Sequence, residues 1–569
     1  MLEAARRWID ADPDPNTREE LQRLVDAEAH DEIAERMGGE LEFGTAGLRG
    51  VVGAGSMRMN RAVVIRTTRG VADYLLDRVV DARSLPVVIG FDGRTGSDIL
   101  ARDVVGVLVA AGIHVRFFAS PVPTPLVAYA ARQLGATMAI VITASHNPPE
   151  YNGYKVYAGN AVQLASPTDK EIQRRIVAVG PASDVPNVTN AIDGRSTFAE
   201  AIPHTMFERY LAEVDVHRPS ADLERNIRIV YTPLHGVGYR YVAEAFARAG
   251  YPPLHVVEEQ AEPDGRFPTV RFPNPEEPGA LDLATALAAR VDADLVIAND
   301  PDADRLSVCL PTPSGRWVPL TGNQIGILLA DFVLGRAAHQ PTPLVVSSIV
   351  SSPMLESIAR RHGARCERTH TGFKWICNAG LALEAQGGCR FVFGYEEALG
   401  YAIPVVRDKD GISAALLFAD LTASCRAAGQ SVRERLDGLY REHGLWVSRP
   451  RTVVCDGSAG AEAISTAMDK LRREPPSRLG SLGVKRVIDF LSADDTRSPW
   501  LPPANLVEIV LVGGSRVFVR PSGTEPRLKI YTELRIELPS GGEVRGQEAA
   551  AMHVADQISQ EVAHYVGLI

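Results

Sequence analysis

Short apolar runs that stop abruptly in polar, glycine- and proline-rich turns recur along this chain, with helical periodicity between them. Ala139-Ile140-Val141-Ile142, residues 293–298 and residues 390–393 are such runs. They are too short for helices and read as strands. Residues 62–80, 97–111, 239–249, 281–289 and 412–427 read as helices, and residues 85–90, 114–119 and 227–231 as further strands. Strand alternating with helix predicts a mixed or parallel α/β sheet whose loops gather at strand ends, where ligands bind. Residues 1–37 read as helical, with Thr17 and Glu20 forming a capping box for a helix through residue 34. At 569 residues the chain is too long for one core, so three or four domains are expected. Residues 180–198 form a loop-like boundary region.

Composition excludes several classes. A formal net charge of -10 without a basic run argues against a nucleic-acid surface. No G-x-G-x-x-G follows a strand, so a dinucleotide fold lacks its main warrant. No apolar run reaches the length of a membrane span. The six cysteines contain no C-x-x-C pair and read as buried reduced thiols. No secretory leader is seen at the N-terminus, so a cytoplasmic location is the expectation.

Seven stretches carry chemistry. After the apolar run ending at Ile142, the chain reads T-A-S-H-N-P-P-E, and Pro148-Pro149 forbid a helix there. Ser145 is thus presented on a rigid turn beside His146. A neighbouring pair of this kind is usually incidental, since nucleophile and base must meet in space and not merely in sequence. Upstream, E-F-G-T-A-G-L-R-G at residues 42–50 combines tight backbone with the fixed cation of Arg49. The run 293–298 leads into Asn299-Asp300-Pro301-Asp302-Ala303-Asp304-Arg305. On an extended segment, alternate carboxylates project to one side and repel unless a cation sits among them. Oxygen-only ligation suits Mg²⁺. An EF-hand also begins D-x-D-x-D, but Arg305 stands where its glycine belongs and Pro311 where its glutamate belongs.

Thr371-Gly372-Phe373-Lys374-Trp375 reads as a loop. The strand 390–393 leads to Gly394-Tyr395-Glu396-Glu397-Ala398, and Asp408-Lys409-Asp410-Gly411 precedes the helix at 412–427. Finally Arg520-Pro521-Ser522-Gly523-Thr524-Glu525-Pro526-Arg527 gathers backbone N–H groups, hydroxyls and two guanidiniums into a phosphate cradle.

Taken together, these strings resemble the α-D-phosphohexomutase superfamily. T-A-S-H-N-P is similar to its phosphoserine loop, F-G-T-A-G-L-R to a segment lining its active site, and D-P-D-A-D-R to its metal loop. G-Y-E-E-A is similar to its sugar-contacting loop, D-K-D-G to its lysine motif, and R-P-S-G-T-E-P-R to its phosphate-binding loop. The motifs span residues 43 to 527 in the family order. The resemblance implies four domains around a central cleft: three similar α/β domains with mixed sheets, at residues 1–205, 206–322 and 323–448, and a smaller α+β domain at 449–569.

It also implies roles. Ser145 is the phosphoryl carrier, and with Asp300, Asp302 and Asp304 it holds Mg²⁺. Arg49 and Arg305 stabilise the transferring phosphate. Arg305, Thr371, Gly372, Lys374, Glu396 and Lys409 contact substrate. Arg520, Ser522, Gly523, Thr524 and Arg527 hold the phosphate that stays. The proton of the attacking sugar hydroxyl goes to His146 or Lys409, between which the sequence does not choose. The chain departs from the family at Ala398, where many members carry a serine that supplies one hydroxyl contact. The two-glutamate form is nearer the branch that includes pentose phosphate mutases.

The implied reaction is intramolecular phosphotransfer between sugar 1-phosphate and 6-phosphate, through phosphoserine and a sugar 1,6-bisphosphate. Glucose is the first choice; mannose, or ribose 1-phosphate to 5-phosphate, is the alternative. A monomer or homodimer acting on a small phosphosugar is expected. Two readings of other classes, a metal-dependent phosphatase and a non-catalytic sugar-phosphate binding protein, are opposed by the arginine cradle and the intact serine.

Overall fold

The computed structural model describes residues 1–44, 47–219, 222–455, 460–492, 494, 497–522, 527–538 and 544–568. The chain divides into two compact units. One comprises residues 1–320 and 400–423, the other residues 321–399 and 424–569.

The first unit contains two sheets. In one, the fully buried strand Met138–Ile142 lies parallel to Val87–Phe91 on one side and antiparallel to Tyr151–Ala158 on the other. Val87–Phe91 in turn pairs in parallel with Val115–Phe117. A strand with apolar residues at every position fits only between covered faces. The helices Arg61–Arg78, Ser97–Ala110 and Thr124–Gln133 provide that cover, with Val64, Leu75, Val104, Leu108 and Ile140 in one core. In the other sheet, Leu295–Ala298 pairs in parallel with Ile229–Thr232 and antiparallel with Ser307–Pro311.

Both motif loops are therefore hairpin connections. Residues 143–150 join the antiparallel pair Met138–Ile142 and Tyr151–Ala158, and residues 299–306 join Leu295–Ala298 to Ser307–Pro311. Each hairpin bends through a left-handed residue that is not glycine, Ser145 at φ 52° and Ala303 at φ 55°. Side-chain-bearing residues adopt this region at a cost and only where the surroundings fix them.

In the second unit, the strands Thr342–Ser348, Arg365–Thr369 and Cys389–Glu396 run parallel. A six-stranded antiparallel sheet follows, with the ten-residue ladder Leu445–Val454 to Arg527–Ile536 at one edge. The helix Val544–Tyr565 packs against it.

Several sequence expectations need correction. The N-terminal region forms three helices, Leu2–Ala11, Pro15–Asp26 and His30–Met37. The second starts at Asp14-Pro15, where Asp14 caps the Asn16 N–H and proline occupies the first turn. Thr17 is no cap: its hydroxyl donates to Asp12 Oδ2 at 2.6 Å. Residues 48–50, at the end of the tight-backbone stretch 42–50, lie in the strand Leu48–Val51 paired with Tyr151–Ala158. Residues 371–375 are not all loop, because the helix Phe373–Ala385 begins among them. The acidic segment is a turn and not extended; the Ala303 N–H donates to the Asp300 carbonyl at 2.9 Å. All six cysteines are free thiols, but Cys366 and Cys455 are only half-buried.

Candidate active site

Ser145 is buried at the tip of its hairpin. Its N–H donates to Thr143 Oγ1 at 2.9 Å, which tightens the bend. Its hydroxyl donates to Asp300 Oδ2 at 2.8 Å and lies 3.2 Å from His146 Nδ1. Burial, with Arg305 and Arg49 nearby, pushes the His146 imidazolium well below the usual histidine range, so the ring is neutral at pH 7.

The three aspartates converge as the motif suggests, although by a turn. A carboxylate oxygen of each lies within 4.8 Å of the others, and all three residues are buried. Their partners are distributed unevenly. Asp302 Oδ2 accepts from Thr124 Oγ1 at 2.8 Å and from Lys155 Nζ at 2.9 Å. Asp304 Oδ2 accepts from Lys155 Nζ at 3.0 Å and pairs with Lys409 Nζ at 3.3 Å. Asp302 Oδ1 and Asp304 Oδ1 are buried and, among the described residues, have no hydrogen-bond partner. Burial alone would raise both carboxyls, yet Lys155 holds them below the usual aspartate value, with Lys409 aiding Asp304. Asp300 is pushed well above it by burial and by its two acidic neighbours. Buried acceptors left bare beside a third carboxylate fit a hard cation such as Mg²⁺.

Sequence reasoning missed Lys155. It lies on the strand Tyr151–Ala158 opposite Val141, so the same pairing that forms the serine hairpin delivers an ammonium to the aspartates. No contiguous motif reports such a contact; the signal available was a lysine inside an otherwise buried strand. Arg94 was missed as well: it donates to the Ser145 and Asn147 carbonyls of the serine loop.

The cationic residues named from sequence fall close by. Arg49 NH1 donates to Asn147 Oδ1 at 3.0 Å. The Arg305 N–H donates to Asp300 Oδ1 at 3.0 Å. Lys409 Nζ is 3.5 Å from Asp408 Oδ1, and the Asp408 carboxylate is tied to the Tyr157 hydroxyl at 2.6 Å. Ser145, His146, Arg49, Asp300, Asp302, Asp304, Arg305 and Lys409 are thus brought together within the first unit.

In the second unit the Gly372 N–H donates to Glu396 Oε2 at 3.1 Å, joining two residues of the expected sugar site. Thr371 adjoins Gly372 just ahead of the helix, and the Lys374 ammonium stands 5.9 Å from the Trp375 ring centroid. Glu397 Oε2 accepts from Ser348 Oγ at 2.7 Å and Ser351 Oγ at 3.1 Å. Arg520 donates to the Tyr531 hydroxyl at 3.2 Å, and the Ser522 N–H to the Arg527 carbonyl at 2.8 Å. Gly523 and Thr524 lie outside the described residues.

Family models match most of this chain. Domains I, II and III of "Phosphoglucomutase/phosphomannomutase, alpha/beta/alpha" match residues 40–181, 206–313 and 321–443, and the family's C-terminal domain matches 469–551. The chain belongs to the phosphoglucomutase/phosphomannomutase family of the α-D-phosphohexomutase superfamily. As a family member it is a phosphomutase, an isomerase that acts by intramolecular phosphotransfer. Its fold is that of the family, three α/β domains and a smaller C-terminal one. A relative named "Probable phosphomannomutase" from Haemophilus influenzae is 39% identical over 84% of this chain and 93% of its own length. The human phosphopentomutase is 35% identical over 93% of this chain and 90% of its own. Among solved structures, the open form of the Paramecium phosphoprotein pp63/parafusin, a phosphoglucomutase, superposes with a TM-score of 0.68 at 18% identity. That likeness covers 93% of this chain and 97% of the other. Among the described residues no helix is long and apolar enough to cross a membrane.

Proposed function

We propose that this enzyme moves a phosphoryl group between two hydroxyls of one sugar by way of phospho-Ser145, with a sugar bisphosphate as intermediate. The observation that carries the reading is the 2.8 Å contact between the Ser145 hydroxyl and Asp300, beside two buried carboxylate oxygens left bare. Phosphoryl transfer asks little covalent chemistry of a protein and much positioning and charge stabilisation. Mg²⁺ held by Ser145, Asp300, Asp302 and Asp304 would supply neutralising charge at the transferring group.

The chain's own residues do the rest. The hairpin bend presents Ser145 Oγ on a rigid support. Lys155 offsets the acidic charge from behind, leaving the opposite carboxylate oxygens available. Arg49 and Arg305 stabilise the phosphoryl oxygens. A neutral His146 with Nδ1 3.2 Å from the serine oxygen is suited to accept a proton. Lys409, bracketed by Asp304 and Asp408, is better suited to orient the sugar. Thr371, Gly372, Lys374 and Glu396 take the sugar hydroxyls, and Arg520, Ser522, Gly523, Thr524 and Arg527 take the stationary phosphate. These roles, and the fourfold division at residues 205, 322 and 448, rest on the motifs.

Glucose 1-phosphate is the first choice, because the two-glutamate loop resembles glucose- and ribose-type members more than the mannose-type form. Ribose 1-phosphate is the second reading, favoured by the similarity to the human phosphopentomutase over 93% of this chain. A coupled assay with Mg²⁺ and trace sugar bisphosphate, running glucose, mannose and ribose 1-phosphates side by side, tests both. Preferred turnover of glucose 1-phosphate supports the first reading, and of ribose 1-phosphate the second. Release of inorganic phosphate without isomerised product would sink the mutase reading.

A further inference from the structure

Arg94 is 4% exposed, and its guanidinium is spent almost wholly on backbone. One terminal nitrogen donates to the carbonyls of Ser145 at 2.7 Å and Asn147 at 2.5 Å. The other donates to the carbonyls of Pro148 at 2.8 Å and Tyr151 at 3.0 Å. Four carbonyls of one hairpin thus converge on one planar cation.

The cation is itself held on other sides. Its Nε lies 3.3 Å from Asp92 Oδ2. Asp92 Oδ1 accepts from the Arg94 N–H at 3.0 Å and from the Ser97 hydroxyl at 2.7 Å. The Phe267 ring lies with its centroid 5.0 Å from the guanidinium carbon. Phe267 is buried and has a left-handed φ of 47°. Both loops flanking Arg94 are therefore bent through residues that favour other conformations.

We propose that Arg94 is a positioning residue for phosphoryl transfer: it clamps the left-handed bend at Ser145 so that Oγ keeps its aim beside Asp300. The inference rests on Ser145 being the phosphoryl carrier. A planar fork with several donors can span four carbonyls at once, which a lysine ammonium with its single nitrogen cannot. In-line transfer is sensitive to alignment, and a displacement of about 1 Å costs roughly 100-fold in rate.

The test is Arg94→Lys in the full chain. It would be assayed beside wild type and Ser145→Ala with Mg²⁺, the best sugar monophosphate and its bisphosphate. The expected result is kcat lowered by about 100-fold with KM unchanged and the melting temperature close to wild type. Phospho-Ser145, followed by intact mass, should also lose phosphate to water faster than in wild type. A kcat equal to wild type would overturn the proposal. If Arg94→Lys does not fold, Phe267→Leu, which thins the platform and leaves every donor in place, should lower kcat less, again at constant KM. No change in its kcat would overturn the proposal. Turnover by Ser145→Ala would remove the phosphoserine reading itself, and this inference with it.

Discussion

The Ser145 hydroxyl and Asp300 Oδ2 stand 2.8 Å apart, although 155 residues separate them in the chain. Each sits on the connection of an antiparallel pair at the edge of parallel strands, and each connection bends through one left-handed residue. Two similar hairpins meeting tip to tip place a hydroxyl against an acidic cluster. That relationship makes the following outcomes expected.

Lys155 is the counter-charge that lets Asp302 and Asp304 remain ionised in a buried setting. Removing one partner of a buried ion pair typically costs about 3–5 kcal/mol. Lys155→Met should therefore melt well below wild type in EDTA. Added Mg²⁺ should raise its melting temperature by more than it raises that of wild type, because cation and lysine offset the same charge. Equal Mg²⁺ shifts in the two proteins, read by calorimetry, would show that the aspartates are not the cation site.

Gly411 touches the acidic turn from the Lys409 segment. A Cβ built there would lie 2.3 Å from the Arg305 carbonyl oxygen and 2.6 Å from Asn299 Nδ2. Gly411→Ala must push the turn or the helix Gly411–Ala427 aside. Supporting residues of this kind usually change metal affinity by about 10–100-fold. The Mg²⁺ concentration for half-maximal activity should rise within that range. An unchanged Mg²⁺ requirement would mean that the turn absorbs the methyl group elsewhere.

The motifs made much of this legible, for a reason specific to them. Ser145 and the three aspartates each lie in short contiguous strings that resemble those of a known family; their residue types alone would read as ordinary turns. Lys155 and Arg94 left no such trace. Their partners are 147 and 51 residues away and are reached only when the strands pair and the turn at Asp92 closes. Local signals also misled where tertiary partners took over. Glu20, expected in a capping box, accepts from Arg36 and from the Ala54 N–H instead. The extended reading of the acidic segment failed because alternation was asked to explain a convergence that the bend at Ala303 produces.

Glu533 offers a pH-dependent test of the second unit. Burial pushes its carboxyl up to about 8, with only the Ser448 hydroxyl and the Arg516 charge opposing and Glu397 adding to the rise. The folded chain keeps this proton up to that pH, whereas the unfolded chain releases it near 4.3. Stability from this group is therefore lost as pH rises from about 4.3 through about 8. Glu533→Gln should raise the melting temperature at pH 8 and leave it nearly unchanged at pH 4. A variant less stable than wild type at pH 8 would mean that the ionised carboxylate is the favoured form.

The most direct test of the central claim follows the phosphate on Ser145. Purified enzyme would be mixed with Mg²⁺ and a sugar bisphosphate, quenched, and digested for mass spectrometry, with mutase turnover measured on the same samples. One phosphoryl group on Ser145 of the wild type is expected, exchanging with substrate as fast as turnover. Ser145→Ala should carry none and should be inactive while remaining folded. Full turnover by Ser145→Ala, or a phosphoryl group that exchanges on a different residue, would contradict the account.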